Sequence, residues 1–299
     1  MRTSLFRLVS APFCALALAV VSGCAPSVSQ PACVQDVPRD DKNRVTIGLH
    51  SDLPGWSYSP DDASWSGFDY EFARWLGDHC GFVMVPTPIA SAERETALLE
   101  GRVDLVIASY SITDKRKELV TFAGPYAYTQ QGVMVREGSG ISGLDDLAGR
   151  TVCAARGTTS AEQIVQFLPD AVLDEQSGFG RCTRALVAGT VDAVSTDELL
   201  LHGLAAGSSP LQEEAGGELT VLDAAFGHQE LYGIGMPTDG AAQAQCEALT
   251  EAIDAAVIDQ WWTDAFQNAL PDVARPEDHR PSRGYFERCP GSGDEGDVR

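Results

Sequence analysis

Positive charge is scarce: the 299 residues hold 21 Lys and Arg against 43 Asp and Glu, with five His, for a formal net charge of -22. A chain so acidic lacks the clustered cations that neutralise phosphates, which argues against nucleic acid as a partner. Short signatures of common chemistry are missing as well. No G-x-S-x-G elbow, H-E-x-x-H pair, P-loop glycine run or C-x-x-C pair occurs, so no catalytic residue, cofactor or metal site is expected. Long apolar runs are absent apart from one at the start. With 44% hydrophobic residues the chain is neither disordered nor a miniature disulfide scaffold, and it can bury one large core or two smaller ones. Small solutes or proteins remain as partners.

The opening apolar run, Leu8 to Val21, is broken only by Ser10 and follows Arg2 and Arg7. It reads as an export signal over residues 1–23, too short for a membrane span. Its end, Val21-Ser22-Gly23-Cys24, resembles the lipobox of bacterial lipoproteins. That resemblance implies a lipidated Cys24 as the mature N-terminus, anchoring the protein at the outer face of the cell membrane; an ordinary secretory signal with an incidental cysteine is the alternative. The signal carries two Arg and no acid, so its removal makes the chain still more acidic. Cys14 leaves with the signal and Cys24 goes to the anchor. Cys33, Cys80, Cys153, Cys182, Cys246 and Cys289 remain, an even set that can form three disulfides in an oxidising compartment with the pairing open.

Residues 24–43 are rich in Ser, Pro, Ala and Gln and then in charge, without apolar periodicity, and read as a flexible tether. Val45-Thr46-Ile47-Gly48 reads as a strand. Phe68, Phe72, Trp75 and Leu76 share one face of a following helix, and Phe82 to Val85 reads as the next strand. The three make a parallel unit. Two segments, Leu98 to Ser109 and Leu186 to Asp197, both follow L-x-x-G-x-V-D-x-V. Each reads as a helix end stopped by Gly and then a buried strand, with a polar residue, Ser109 or Asp197, eight positions past the Gly. Ligands of open α/β sheets bind beyond the carboxyl ends of strands, so the two strand ends are expected to face a shared crevice. Tyr126 to Val135 reads as an extended crossover and Leu231 to Pro237 as its return. Hinges placed there give lobe 1 as 44–128 plus 233–289 and lobe 2 as 129–232. Helices from Ala241 to Ile258, and on through Trp261 and Trp262, are expected against lobe 1, and residues 290–299 form a disordered, solvated tail.

Four segments then carry a family resemblance: Gly67-Phe68-Asp69-Tyr70-Glu71; Leu98-x-x-Gly101-x-Val103-Asp104; Ser109-Tyr110-Ser111-Ile112-Thr113-Asp114-Lys115-Arg116; and Val120-Thr121-Phe122-Ala123-Gly124-Pro125-Tyr126. In order and spacing they resemble the extracellular amino-acid-binding proteins of ABC transporters, solute-binding protein family 3, over residues 44 to 268. The resemblance implies an α/β fold of the two-lobed periplasmic-binding-protein type (type II, Venus flytrap), with a cleft between lobes joined by two hinge strands. It implies a monomer that captures an amino acid and delivers it to a membrane permease driven by an ATPase. A sensor handing lobe closure to a membrane kinase is the alternative partner scheme. Enzymes of the same fold, dehydratases and lytic transglycosylases, are a further alternative.

A free amino acid is a zwitterion and needs an anion site beside a cation site. The resemblance implies Arg116 for the α-carboxylate, where a guanidinium fork matches two oxygens. It implies Asp197 for the α-ammonium, with Ser109 and Ser111 assisting; the plain role for Asp197 is N-cap of the helix from Glu198. Gly157-Thr158-Thr159-Ser160 reads as a turn into a helix whose free N–H groups favour an anion. Any of its hydroxyls can cap, and the family register points to Thr159 as the ligand contact. Arg94 stands where glutamate- and aspartate-binding relatives place the partner of the side-chain carboxylate, and His50 where they often carry Lys or Arg. Two potential cations then favour Glu or Asp, with Gln or Asn next; a helix-surface Arg94 paired with a neighbouring acid is the alternative. Trp56 is placed either over the cleft or in the core. Cys153 and Cys182 resemble a disulfide of actinobacterial glutamate-binding relatives, leaving Cys33, Cys80, Cys246 and Cys289 unassigned.

Overall fold

The computed structural model describes Cys33 and residues 43–206, 209–210, 218–282, 284 and 286–290. The expected signal peptide, the lipidation site Cys24, most of the tether and residues 291–299 of the tail lie outside the described residues.

Strand β1 (Arg44–Leu49) is followed by a small hairpin of β2 (Asp52–Leu53) and β3 (Ser57–Tyr58), helix α1 (Phe68–Cys80) and strand β4 (Val83–Pro88). β1 and β4 pair in parallel, with Arg44 opposite Val83 and Leu49 opposite Pro88. Phe68, Phe72, Ala73, Leu76 and Cys80 form the buried face of α1, the three-to-four spacing that puts side chains on one side of a helix. Helix α2 (Arg94–Leu99) leads to β5 (Leu105–Val106), a single turn α3 (Asp114–Lys117) and the 16-residue strand β6 (Thr121–Arg136). β7 (Thr151–Ala155), α4 (Thr159–Phe167), β8 (Val172–Gln176), α5 (Phe179–Val187), β9 (Ala193–Asp197) and α6 (Glu198–Ala205) come next. β10 (Leu219–Val221), β11 (Phe226–Met236), α7 (Ala242–Ile258) and α8 (Gln260–Ala269) complete the sequence of longer elements.

The repeated L-x-x-G-x-V-D-x-V text produces repeated structure. Gly101 and Gly189 stop their helices with φ of 66° and 71°, a left-handed conformation that glycine adopts without a Cβ penalty. The Asp that follows ties each strand to its parallel neighbour: Asp104 accepts from the Thr46 backbone N–H at 2.7 Å, and Asp192 from Thr151 at 2.9 Å. β5 then pairs with β1, and β9 with β7, both in parallel.

These two halves belong to one curled mixed sheet of order β4-β1-β5-β11-β6-β9-β7-β8, with β10 beside β6. β6 and β11 are antiparallel and pass through both halves: β11 meets β5 at Gly235–Val106, while β6 meets β9 from Gln131 to Val135. The return strand therefore begins at Phe226, five residues before the start read from the sequence. Polar residues His228, Gln229 and Glu230 concealed that stretch.

An aromatic cluster forms the centre of the largest core. Trp56 meets Phe68 edge-on at 5.4 Å and Tyr232 at 5.3 Å, and Phe266 stacks on Trp262 at 4.9 Å. The Trp262 indole donates to the Tyr126 carbonyl at 2.9 Å, which fixes α8 against β6. Trp56 is fully buried here, so it belongs to the core and does not cover the cleft. Burying each large apolar side chain stabilises the fold by about 1.5 to 3 kcal/mol. Three disulfides add cross-links: Cys33–Cys80, Cys153–Cys182 and Cys246–Cys289. Cys33, within the expected tether, is thus buried and held at the end of α1. Among the described residues, no helix is long and apolar enough to cross a membrane.

Candidate functional site

Ser109, past the end of β5, and Asp197, the last residue of β9, line one narrow hollow of about 10 Å³ together with His50, Arg94, Ser111 and Thr159. Ser109 has φ of 42°, which L residues seldom adopt, so its neighbours must hold it. The buried Asp69 does so, accepting from the Ser109 N–H at 2.8 Å, its hydroxyl at 3.3 Å and the Tyr126 hydroxyl at 2.7 Å. Burial pushes the Asp69 carboxyl up to about 7 against these hydrogen bonds.

Asp197 occupies the N-cap position of α6 but makes no capping bond. Its carboxylate instead accepts from the side-chain amide of Gln131 on β6 and the hydroxyl of Tyr232 on β11. Burial, and then the nearby Glu230, hold it well above the ordinary carboxylate range, while Tyr232, Arg94 and Arg116 pull the other way.

The turn before α4 divides its hydroxyls by role. Thr158 caps the helix, accepting from the Ala161 N–H at 3.3 Å while donating to the Ala155 carbonyl at 2.6 Å. Thr159 is left to face the cleft, 3.4 Å from the Ser111 hydroxyl across it.

Arg94 is buried, so it is not a helix-surface residue. Its guanidinium donates to the carbonyls of Ser91 at 3.0 Å, Ala108 at 3.0 Å, Ser109 at 3.3 Å and Gly157 at 3.2 Å, and lies 4.6 Å from the Tyr110 ring centroid. Among the described residues no carboxylate comes within ion-pair distance of it. Burial and then Arg116 lower its proton affinity to about 10, so it remains a cation at neutral pH.

His50 is a different matter. The sequence suggested a second cation there, but burial pushes the imidazole down to about 4 despite Asp52. It is neutral at pH 7, 3.4 Å from the Ser91 hydroxyl, because a lone imidazolium in this dry position would be costly to desolvate.

Arg116 does not line the Asp197 hollow. It borders an adjoining one with Glu95 and Glu162, beyond the Ser111–Thr159 contact. Its Nε meets Glu95 at 3.3 Å, one Nη donates to the Ser111 carbonyl at 2.7 Å and the other to the Gly157 carbonyl at 3.2 Å. Gly157 thus caps both guanidiniums from the α4 side. Asp69, Glu95, Gln131 and Glu230 were not singled out by sequence reasoning. For two of them the signal was polarity out of place, Asp69 on the buried face of α1 and Gln131 inside strand text; Glu95 and Glu230 left none.

The geometry can be set beside known proteins. The glutamate-binding protein GluB of Corynebacterium efficiens is 34% identical over 247 residues, covering 78% of this chain and 79% of its own. A glutamine-binding protein of Geobacillus stearothermophilus is 30% identical over 216 residues, covering 70% and 78%. Among solved structures, the L-cysteine solute receptor of Neisseria gonorrhoeae superposes with a TM-score of 0.71 at 23% identity, over 81% of this chain and 97% of that one, which shows the shared two-lobed fold. The family model of the bacterial extracellular solute-binding proteins, family 3, matches residues 45–270, from β1 to the end of α8, and the chain belongs to that family.

Proposed function

We propose that this protein is the substrate-binding lipoprotein of an amino-acid ABC importer and captures glutamate or aspartate. Residues 44–128 plus 233–289 act as lobe 1 and residues 129–232 as lobe 2, closing on the ligand about β6 and β11. The observation that carries the reading is the charge arrangement: Arg94, a buried cation bonded only to backbone carbonyls, shares a hollow with the Asp197 carboxylate. A guanidinium and a carboxyl lining one hollow suit a ligand that carries both an anion and an ammonium, and a buried guanidinium without an anion favours a ligand that brings one.

The roles follow. Asp197 takes the α-ammonium with help from the Ser109 and Ser111 hydroxyls, and Thr159 completes the grip from lobe 2. Parting of the lobes withdraws the Gly157 carbonyl and opens an Nη edge on Arg116 and another on Arg94 to a ligand, and closure brings the Gly157 turn back beside Ala92 over the bound ligand. Glutamate and aspartate have two carboxylates for those two edges: the α-carboxylate at Arg116, the side-chain carboxylate at Arg94 beside a neutral His50. Glutamine or asparagine is the second reading, supported by the glutamine-binding relative and by a neutral His50. The reading assigns no catalytic step, in keeping with a family of binding proteins. Lipidation at Cys24 would hold the monomer beside its permease at the outer face of the membrane; a membrane kinase would use the same closure for sensing.

Calorimetric titration of purified protein with L-glutamate, L-aspartate, L-glutamine and L-asparagine tests the reading. One charge-assisted bond contributes about 1.5 to 3 kcal/mol, so Arg94→Ala should weaken glutamate by roughly 10- to 150-fold and glutamine far less. Equal losses would remove Arg94 from its role, and absence of heat with every amino acid would overturn the reading.

A further inference from the structure

Behind Asp197 lies a second acid that does not reach the hollow. Glu230 on β11 is 3% exposed and Gln131 on β6 is fully buried. The Gln131 amide nitrogen donates to Asp197 Oδ1 and, at 3.3 Å, to Glu230 Oε1, which also accepts from the Gln163 side-chain amide on α4. Gln131 Oε1 is buried without a partner among the described residues, so the amide is oriented by its donations to the two acids. Two carboxylates on one amide nitrogen, away from water, cannot both stay ionised without nearby positive charge.

Little of that charge surrounds the pair. Arg94 and Arg116 reach Asp197 from the lobe 1 side, but the latter is engaged by Glu95. His50, which lines the hollow, is neutral, and Tyr232 and Tyr126 keep their protons. Glu198, next in sequence, turns to His202 at 3.6 Å. Gln163 faces Glu230 from α4 with a neutral amide, its Oε1 accepting from the His228 N–H at 2.8 Å. Nothing cationic touches Glu230 itself among the described residues.

We propose that Glu230 is a positioning partner of Asp197, that its charge, bridged through Gln131, helps to keep a proton on Asp197, and that a ligand ammonium arriving at Asp197 expels it. This rests on the assignment of Asp197 to the ammonium. The step balances simply: the O–H bond of Asp197 breaks, the electron pair stays on its carboxylate, the proton passes to solvent buffer, and the ammonium supplies the positive charge that an ionised Asp197 beside Glu230 requires. Capture is therefore linked to pH and strengthens as pH rises.

The test has two arms. In the first, purified protein is titrated with L-glutamate and with L-glutamine at pH 7 in buffers of different ionisation enthalpy. Both ligands carry the same ammonium, so the wild type should release about one proton with each, and its affinity should rise by up to about tenfold per pH unit. Glu230→Gln, isosteric and able to keep the Gln163 contact, should release clearly less and show a shallower profile, since the burial of Asp197 remains. Binding without proton release in the wild type, or equal release in E230Q, overturns the proposal. The second arm needs no ligand: urea unfolding between pH 5 and 8 should show wild-type stability falling more steeply with rising pH than that of E230Q. Equal slopes overturn the proposal whether or not any amino acid binds. Failure of every amino acid to bind speaks instead against the assigned ligand class.

Discussion

At the scale of single residues, burial decides protonation, and two side chains of the site should show it in opposite directions. His50 sits at about 4 against an ordinary 6.5, so its contribution to stability is present above pH 6.5 and is lost as pH falls through 4. Asp69 sits at about 7 against 3.8, so its contribution is present below pH 3.8 and is lost as pH rises through 7. The two amount to about 3 and about 4 kcal/mol and largely offset each other between pH 4 and 7. Removing either should expose the other. His50→Gln should make stability rise, relative to wild type, as pH is lowered from 7 to 5, and Asp69→Asn should make it fall. Urea midpoints across that range decide the matter, and parallel profiles for the two variants would refute both protonation states.

At the scale of elements, the turn from β7 into α4 packs against the turn before α2 across the candidate site. Gly157 has φ of 77°, and a Cβ there would stand 2.6 Å from the Ala92 Cα in the turn before α2. Backbone thus faces backbone across the cleft, with the Gly157 carbonyl reaching Arg94 and Arg116 at 3.2 Å each. Gly157→Ala combines an unfavourable φ with a contact that neither backbone can yield. It should weaken capture by about tenfold or more, equivalent to at least ~1.4 kcal/mol. Small-angle scattering should then show contraction on adding L-glutamate to the wild type and little in the variant; equal contraction would mean that closure does not require this approach. The same helix start shows how far sequence reading went. It placed the cap among Thr158, Thr159 and Ser160; the bonds to Ala155 and Ala161 give that role to Thr158, while Thr159 meets Ser111 from 48 positions earlier in the chain.

At the scale of the whole molecule, the common sheet joins the halves and each disulfide cross-links chain on one side only. The Cys153–Cys182 bond spans 29 residues and joins β7 to α5, whereas Cys33–Cys80 and Cys246–Cys289 close separations of 47 and 43. In the chain-entropy account a loop of the shortest length is worth roughly 3 kcal/mol. Cys153→Ser with Cys182→Ser should therefore lower the unfolding free energy by about that much under non-reducing conditions. Added reductant should bring the wild type to or below the variant. A variant as stable as the oxidised wild type would show that this bond contributes no net stabilisation.

Local pattern was enough for the parts that depend on local pattern. The β1-α1-β4 unit, the glycine stops at Gly101 and Gly189, and the placement of Ser109 and Asp197 beyond equivalent strands all follow from periodicity and from an echo of a dozen residues. Chain order could not supply what distant side chains do to one another. The neutrality of His50, the pairing of Arg116 with Glu95, the removal of Trp56 to the core and the company of Gln131 and Glu230 around Asp197 arise only when β1, α2, β6, β9 and β11 converge. Burial and charge proximity are set by that convergence, and they govern which groups stay ionised.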